Sequence, residues 1–325
     1  MAKRIKEEFR LLIDEKKHIF DEETRNNFMY KLDKMKFKRN FDEYDLSNTT
    51  EMEYCYKKFK MFFEDDFSIK LVLKNIGSIK GSTDRKNDTL DSCFGKIFSP
   101  HLFLGKYVYS NAWYNFQKNF FTINSDNLNE ISFSAYYPMS LNYGYLGITI
   151  GHEISHGFDD EEYNRTLEGD NKNEFNVTQM SIKNFEEKSK CFVKQYGMQK
   201  ESITNKNING AQTLTENIVD NSGLKLAHRA YMKWFQSNGR KDKGVPGFEK
   251  FTNEQLFFIG AGRSFCEYKS KAHLEKQIST SKYTPAEIRT NVALSNYKPF
   301  SDAFNCPINS KMNPEDKCEL WKILN

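Results

Sequence analysis

Residues 151–157, Gly151-His152-Glu153-Ile154-Ser155-His156-Gly157, contain the pattern that decides the fold of this chain. Two histidines four positions apart lie on one face of a helix, so both neutral imidazoles can bind a single Zn²⁺ ion. Glu153 projects beside them, where it can act as a general base toward a water on that ion. The pattern predicts a metal site on a helix, and two surface histidines that bind nothing are the alternative.

Apolar residues spaced four apart run through the same stretch and predict the helix that carries the histidines. They are Leu146, Ile150, Ile154 and Phe158. This stripe lies on the side away from the histidines, so core packing would hold the helix while the histidine face looks into a cleft. Gly157 is well placed to end the helix.

A third metal ligand is needed, because catalytic zinc sites use three protein ligands and a water. Glu216 is the candidate, and Asp220 follows it by one turn on the same helix face. Asp220 can accept the free N–H of His152 and fix its tautomer. Thr213 and Glu216 also have the spacing of a capping box at a helix start. Taken alone, this acidic pair also fits an ordinary solvated helix face.

The bulk composition disfavours several kinds of partner. The chain has 325 residues, 28% of them charged, and a net charge of only +4. Lys and Arg are interleaved with Asp and Glu, so nucleic acid is not indicated. The basic N-terminus lacks the apolar core of a secretory signal, and no apolar run is long enough to span a bilayer. We therefore expect no nucleic-acid partner and no membrane segment in this chain.

Periodicity predicts helices for most of the chain and strands in one short region. Residues 1–80 carry apolar side chains at helical spacing, beginning with Phe9 and Leu12. The β-branched and aromatic residues at 107–114 and 120–123 predict strands. The expected fold class is mainly α with a small β-sheet, that is, α+β.

The six cysteines contain no CxxC pair, so a cysteine-based zinc site is not expected. From the residues alone, two possibilities remain open: buried free thiols, or disulfides in an exported protein. The six are Cys55, Cys93, Cys191, Cys266, Cys306 and Cys318.

The stretches GHEISHGFDD at 151–160 and TLTENIVDNSGL at 213–224 closely resemble the neprilysin and endothelin-converting-enzyme family of zinc peptidases. Further similar stretches, in the same order, extend the resemblance over residues 107–321. The resemblance implies a zincin, with a thermolysin-like metallopeptidase catalytic domain at 107–325 and a partial helical N-terminal region at 1–106. Members of the family usually begin with a membrane anchor and a large helical domain, most of which we expect to be missing here.

The same resemblance assigns roles to individual residues. It implies one Zn²⁺ ion held by His152, His156 and Glu216, with Glu153 as the catalytic base. Asp159 and Asp220 would support the ligands. Peptide substrates would be held by a main-chain clamp, a guanidinium group and a pocket for an apolar residue after the cut, which correspond to Asn111, Ala112, Arg289, Ile148, Thr149 and Phe265.

One departure from the family affects catalysis. Six residues before Arg289, the family carries a histidine that hydrogen-bonds the oxyanion, and this chain has Tyr283. A phenol donates one hydrogen bond but carries no positive charge at neutral pH. His273, ten residues upstream, would fill the role only if the chain were rerouted. We expect a zinc metalloendopeptidase with Tyr283 in this position, and a catalytically weak pseudo-peptidase acting as a zinc-containing binding module is the alternative.

The resemblance also implies a location and a cysteine pairing. The family is extracellular or at the cell surface, and the same is expected of this chain. Cys191 and Cys318 match a family disulfide that lies wholly within the catalytic domain. Cys266 and Cys306 match cysteines whose partners lie in the part that we expect to be missing.

Overall fold

The computed structural model describes residues 1–39, 49–50, 53–54, 112–128, 132–163 and 177–320. Within these ranges the chain is mainly helical and has one small sheet, as predicted. The α-helices are α1 Ala2–Glu15, α2 Glu22–Lys34, α3 Met139–Asn142, α4 Ile148–Ser155, α5 Gln179–Gly197, α6 Leu214–Ser237, α7 Asn253–Ser264, α8 Lys271–Thr280, α9 Ala286–Asn296 and α10 Lys298–Ala303. The strands are β1 Lys36–Arg39, β2 Ala112–Asn115 and β3 Phe120–Ile123, in the order β1-β3-β2.

Local sequence explains where several helices begin. The side chain of Asp21 accepts a hydrogen bond from the backbone N–H of Thr24 and so caps α2. Thr252 and Gln255 form a reciprocal capping box at the start of α7. The apolar periodicity of the N-terminal segment is also real, because Phe9 and Leu12 of α1 are fully buried.

The helix with the two histidines is more irregular than its sequence predicts. A π-helical turn over Tyr143–Gly147 leads into α4, and a 3₁₀ turn over His156–Phe158 follows it. The predicted apolar stripe is buried throughout: Leu146 is 5% exposed and Ile154 is 0% exposed.

Helices α4 and α6 cross with their backbones in contact. A Cβ atom on Gly151 would come within 2.9 Å of the Cα of Gly223, and one on Gly223 would come within 2.7 Å of the backbone nitrogen of His152. Only glycine permits so close an approach at both positions. The crossing brings the acidic face of α6 against the histidine face of α4.

One local prediction near this crossing is wrong. Thr213 is the N-cap of α6 but forms no capping hydrogen bond, and its hydroxyl instead donates to the carbonyl of Asn209. Gly157 directly follows His156, the C-cap of α4, as a terminating glycine should, although its backbone is not in the left-handed region.

The chain divides into two compact units. The larger one comprises Met1–Phe37, Ala112–Phe121 and Leu128–Asn325, so it includes both α1 and the two metal-site helices. The smaller one comprises Lys38–Asn111 and Thr122–Asn127. A domain boundary at 106/107 stays a prediction.

A disulfide joins Cys191 of α5 to Cys318, with a Cα–Cα distance of 5.6 Å. The predicted pairing is therefore confirmed. The bridge spans 127 positions and ties the C-terminal segment to α5. In the chain-entropy description, a loop of this length stabilises the fold by roughly 4–5 kcal/mol. Cys266 and Cys306 are free, whereas Cys55 and Cys93 lie outside the described residues.

No helix in the described ranges combines the length and the apolar character that crossing a membrane requires.

Candidate metal centre

His152, His156 and Glu216 come together as a group able to hold a metal ion, with one ligand atom from each lying within 4.8 Å of the others. The two Nε2 atoms are 3.2 Å apart. Oε2 of Glu216 is 3.3 Å from Nε2 of His152 and 3.9 Å from Nε2 of His156. Helix α4 and the 3₁₀ turn after it supply the histidines, and α6 supplies the glutamate.

Each imidazole is held on its far side by a buried carboxylate. Nδ1 of His152 lies 2.9 Å from Oδ1 of Asp220, and Nδ1 of His156 lies 2.7 Å from Oδ2 of Asp159. An Nδ1–H that donates to a carboxylate leaves the Nε2 lone pair available, and this is the arrangement that metal-binding histidines use. Asp159 is held in turn by the backbone N–H groups of Glu161 and Glu162.

The surrounding atoms fit a cation. Both carboxylate oxygens of Glu216 are buried: Oε2 faces the two imidazoles, and Oε1 lies 2.7 Å from Nζ of Lys282. Burial opposes a charge on His152, but hydrogen bonds to Asp220 and Glu216 outweigh it and raise the pKa of His152 to about 10. Burial would likewise raise the pKa of Glu216, yet His152 and its neighbours hold it well below its usual range. Two nitrogens and one carboxylate oxygen are a common ligand set for catalytic zinc.

Glu153 lies beside this group, 5% exposed, on the same turn of α4 as His152. Burial raises the pKa of its carboxyl, and the positive charge of the two imidazoles acts in the opposite direction. A carboxylate whose pKa lies nearer neutrality is a better proton acceptor at physiological pH.

Arg289 of α9 binds Asp220 through two hydrogen bonds, 2.6 Å from Nε to Oδ2 and 2.7 Å from Nη2 to Oδ1. Burial lowers the pKa of the guanidinium group, but Asp220 more than compensates and raises it above its usual range. Its plane lies over the rings of Phe265 and Tyr283, at 4.6 and 5.0 Å from their centroids. Arg289 and Asp220 thus form a fixed wall at one side of the metal centre.

A shallow recess, open to solvent, lies beside Arg289 and Asp220. Ile148 and Phe265 line it, as do Arg289 and Leu224. Thr149 is not among its lining residues, and its hydroxyl is directed at the carbonyl of Tyr145, 3.4 Å away.

The remaining candidates are spread more widely. Tyr283 is 37% exposed in the loop between α8 and α9. His273 lies exposed on α8. Ala112 is the first residue of β2. Asn111, the other predicted clamp residue, lies outside the described residues.

Sequence reasoning missed Lys282. Its Nζ atom lies 2.7 Å from Oε1 of Glu216, which makes it an ion-pair partner of a predicted metal ligand. The available signal was its position, one residue before Tyr283 in the loop that leads to Arg289. Nothing local in the sequence indicates that this loop folds over α6.

The fold and the site together define a metallopeptidase-type metal centre, in which an HExxH helix is crossed by a second helix that supplies an acidic ligand. The model of the family "Peptidase family M13" matches residues 111–320. The chain belongs to this family.

Relatives and solved structures agree with that placement. The chain is 37% identical to neprilysin-11 of Caenorhabditis elegans over 226 residues, which is 70% of this chain and 26% of the relative. It is 40% identical to human neprilysin over 212 residues, 65% of this chain and 28% of the relative. The fold also resembles the crystal structure of Mycobacterium tuberculosis zinc metalloprotease ZMP1 in complex with an inhibitor, with a TM-score of 0.69 at 21% identity, covering 99% of this chain and 46% of that one. The chain spans 26–39% of the length of the curated relatives that it matches.

Proposed function

We propose that this chain is a zinc-dependent metalloendopeptidase that hydrolyses peptide bonds of small peptides. The observation that carries the proposal is the position of Glu153, a buried carboxylate placed directly beside the ligand group His152, His156 and Glu216. A site built only to hold a structural metal has no use for such a base, and structural zinc sites are usually closed by a fourth protein ligand.

The protein's own groups divide the work of hydrolysis among them. A bound Zn²⁺ supplies Lewis acidity and a lowered pKa for water. Glu153 accepts the proton of the attacking water and passes it to the leaving nitrogen. Asp159 and Asp220 keep both Nε2 atoms directed at the ion, and Tyr283 donates a hydrogen bond to the carbonyl oxygen as negative charge develops there.

Substrate binding follows from the walls of the site. Arg289 holds a main-chain carbonyl near the scissile bond, while Asn111 and Ala112 pair with an extended peptide as a strand would. The recess lined by Ile148 and Phe265 receives an apolar residue just after the cut. Thr149 has the same assignment by family resemblance, and its part in the pocket stays a prediction.

A pseudo-peptidase that binds zinc and peptides but turns them over weakly is the competing function. Tyr283 favours it, because a neutral phenol replaces a group that can carry positive charge. The intact Glu153 favours the enzyme.

Cleavage of an internally quenched peptide with an apolar residue after the scissile bond tests the proposal, with stoichiometric zinc added. We expect Glu153→Gln to lower kcat/KM by about 10²–10⁴-fold while zinc still binds, since general-base catalysis contributes that much. Glu187→Gln, which changes an exposed acid on α5, is the matched control and should behave as wild type. Equal rates for wild type and Glu153→Gln, with zinc bound in both, would refute the enzyme and leave the binding module.

The proposal extends to location. An extracellular or cell-surface setting is supported by the Cys191–Cys318 disulfide, because such bonds persist in oxidising compartments.

A further inference from the structure

Lys282 reaches the metal centre from the solvent side. Its side chain is 56% exposed, whereas that of Glu216 is 1% exposed, and Nζ of the lysine lies 2.7 Å from Oε1 of the glutamate. The ammonium group is also 5.3 Å from the ring centroid of Tyr283. A flexible cationic side chain therefore lies at the mouth of the site, where a substrate would enter.

The two oxygens of Glu216 have different neighbours. Oε2 faces the Nε2 atoms of His152 and His156, while Oε1 faces Lys282. Because the atom that faces the imidazoles is not the atom that faces the lysine, the ion pair leaves the three-atom ligand group complete. Lys282 is thus compatible with a loaded metal centre.

Neither of its neighbours supplies a mobile positive charge. Two short hydrogen bonds fix Arg289 on Asp220, so its remaining N–H groups can hold a substrate carbonyl only where the guanidinium already lies. The phenol of Tyr283 is neutral, since burial and the nearby charge of Glu216 raise its pKa to about 12. Lys282 has three donors on a long stem and is not confined by packing.

We propose that Lys282 is a catalytic residue, whose ammonium group donates a hydrogen bond to the substrate's carbonyl oxygen as that oxygen gains negative charge. The inference rests on the proposed peptidase function. No bond to Lys282 forms or breaks, and the lysine keeps its protons throughout. The same positive charge weakens Zn²⁺ binding, because an ammonium ion paired with Glu216 repels a second cation bound to that carboxylate.

Removing the lysine should therefore lower kcat but tighten zinc binding, a combination that a purely structural role of Lys282 would not produce. Three variants of the whole 325-residue chain are compared with wild type: Lys282→Met, Lys282→Arg and Lys190→Met. Lys190 is the matched control, because its Nζ also forms a 2.7 Å ion pair with a glutamate, Glu187, on the exposed surface of α5. The readouts are kcat and KM on the quenched peptide, and the Kd for Zn²⁺ by competition with a chromogenic chelator.

For Lys282→Met we expect kcat to fall about 10–100-fold, which is less than the roughly 10²–10³-fold typical for loss of an oxyanion donor, because the lysine is half exposed. The Kd for Zn²⁺ should decrease about 3–10-fold as a screened repulsion is removed. Lys282→Arg, which keeps the charge, should recover most of kcat, and Lys190→Met should match wild type in both readouts.

Two results would overturn the inference while leaving the peptidase standing: an undiminished kcat in Lys282→Met, or parallel losses of kcat and zinc affinity. Parallel losses would mean that the lysine merely holds Glu216 in place. Tight zinc binding by a wild-type chain that cleaves no peptide would instead refute the proposed function, and this inference with it.

Discussion

Two regions along helix α6 handle buried charge differently. At Asp220, the carboxylate is bound by Arg289 on one side and by a metal-site imidazole on the other. Five residues further along, Lys225 pairs with Glu319 at 2.8 Å. Close by, Lys16 of the α1 C-terminus is fully buried, and its ammonium group has no hydrogen-bond partner among the described residues.

The two regions differ in whether the buried charged group has a partner of opposite charge within the described residues. Around Asp220, desolvation is offset by charged partners, so the carboxylate stays ionised, its pKa below the usual range, and orients its neighbours. Around Lys16, burial and the adjacent Lys225 lower the pKa of the ammonium group to about 7. The ion pair of Asp220 with Arg289 positions a metal-ligand group, whereas the burial of Lys16 without a hydrogen-bond partner in the described part of the chain lowers stability.

Breaking the first arrangement should have the largest effect. Asp220→Ala leaves Arg289 buried without its partner, so we expect the free energy of unfolding to fall by about 3–5 kcal/mol. Zinc affinity should fall about 10–100-fold, because His152 loses the group that orients it. Urea denaturation and chelator competition measure the two effects. Asp302→Ala, which removes an exposed ion pair with Lys298, should cost less than about 1 kcal/mol. A similar small cost for Asp220→Ala would contradict this account.

The crossing of α4 and α6 can be tested separately, because it brings Glu216 and Asp220 of α6 to the histidines. Gly223→Ala places a methyl group 2.7 Å from the backbone of His152, and we expect a loss of about 1–3 kcal/mol together with weaker zinc binding. The matched control is Gly262→Ala in α7, where the nearest atom is a Thr290 methyl at 3.9 Å. That change should stabilise slightly, by about 0.5–1 kcal/mol, since alanine favours helix. Equal effects of the two substitutions on stability would contradict the close approach of α4 and α6, because a methyl group would then fit at the crossing.

The smallest expected effect is a gain. Lys16→Met removes a buried charge that has no hydrogen-bond partner and should raise the free energy of unfolding at pH 7 by about 1–2 kcal/mol. Urea denaturation measures it. Lys17→Met, at the exposed neighbouring position, should leave stability nearly unchanged.

The pH dependence gives this prediction a sign. Lys16 has a pKa of about 7 in the fold and an ordinary value of 10.5, so the unfolded chain binds more protons between these values. The contribution of Lys16 to the free energy of unfolding therefore rises as the pH increases from 7 toward 10. Comparing wild type with Lys16→Met isolates this slope, and identical pH profiles for the two proteins would contradict it.

Sequence patterns were most informative where they follow the regular spacing of residues along a helix. The i, i+4 spacing of His152 and His156, and of Glu216 and Asp220, fixes which side chains share a face whatever the helix packs against. The strand at Phe120–Ile123 was also predicted with its observed bounds. These features depend only on backbone geometry and on the order of the residues.

The capping prediction failed where a residue had two possible local partners. The hydroxyl of Thr213 had a capping position available, but it donates to the carbonyl of Asn209 in the turn before it and accepts from Asn217. A contact outside the capping pattern decided the outcome there.

Residue order and helical spacing fix the chemistry of the ligands and the face on which they lie, and the ordered motifs indicate the family. The contact between Gly151 and Gly223, the ion pair of Lys282 with Glu216 and the burial of Lys16 depend on tertiary packing. The physical reason is the separation along the sequence of the residues that interact. Helical spacing follows from hydrogen bonds between residues four apart, whereas contacts between segments about 70 residues apart depend on how whole surfaces pack, and no short pattern encodes that.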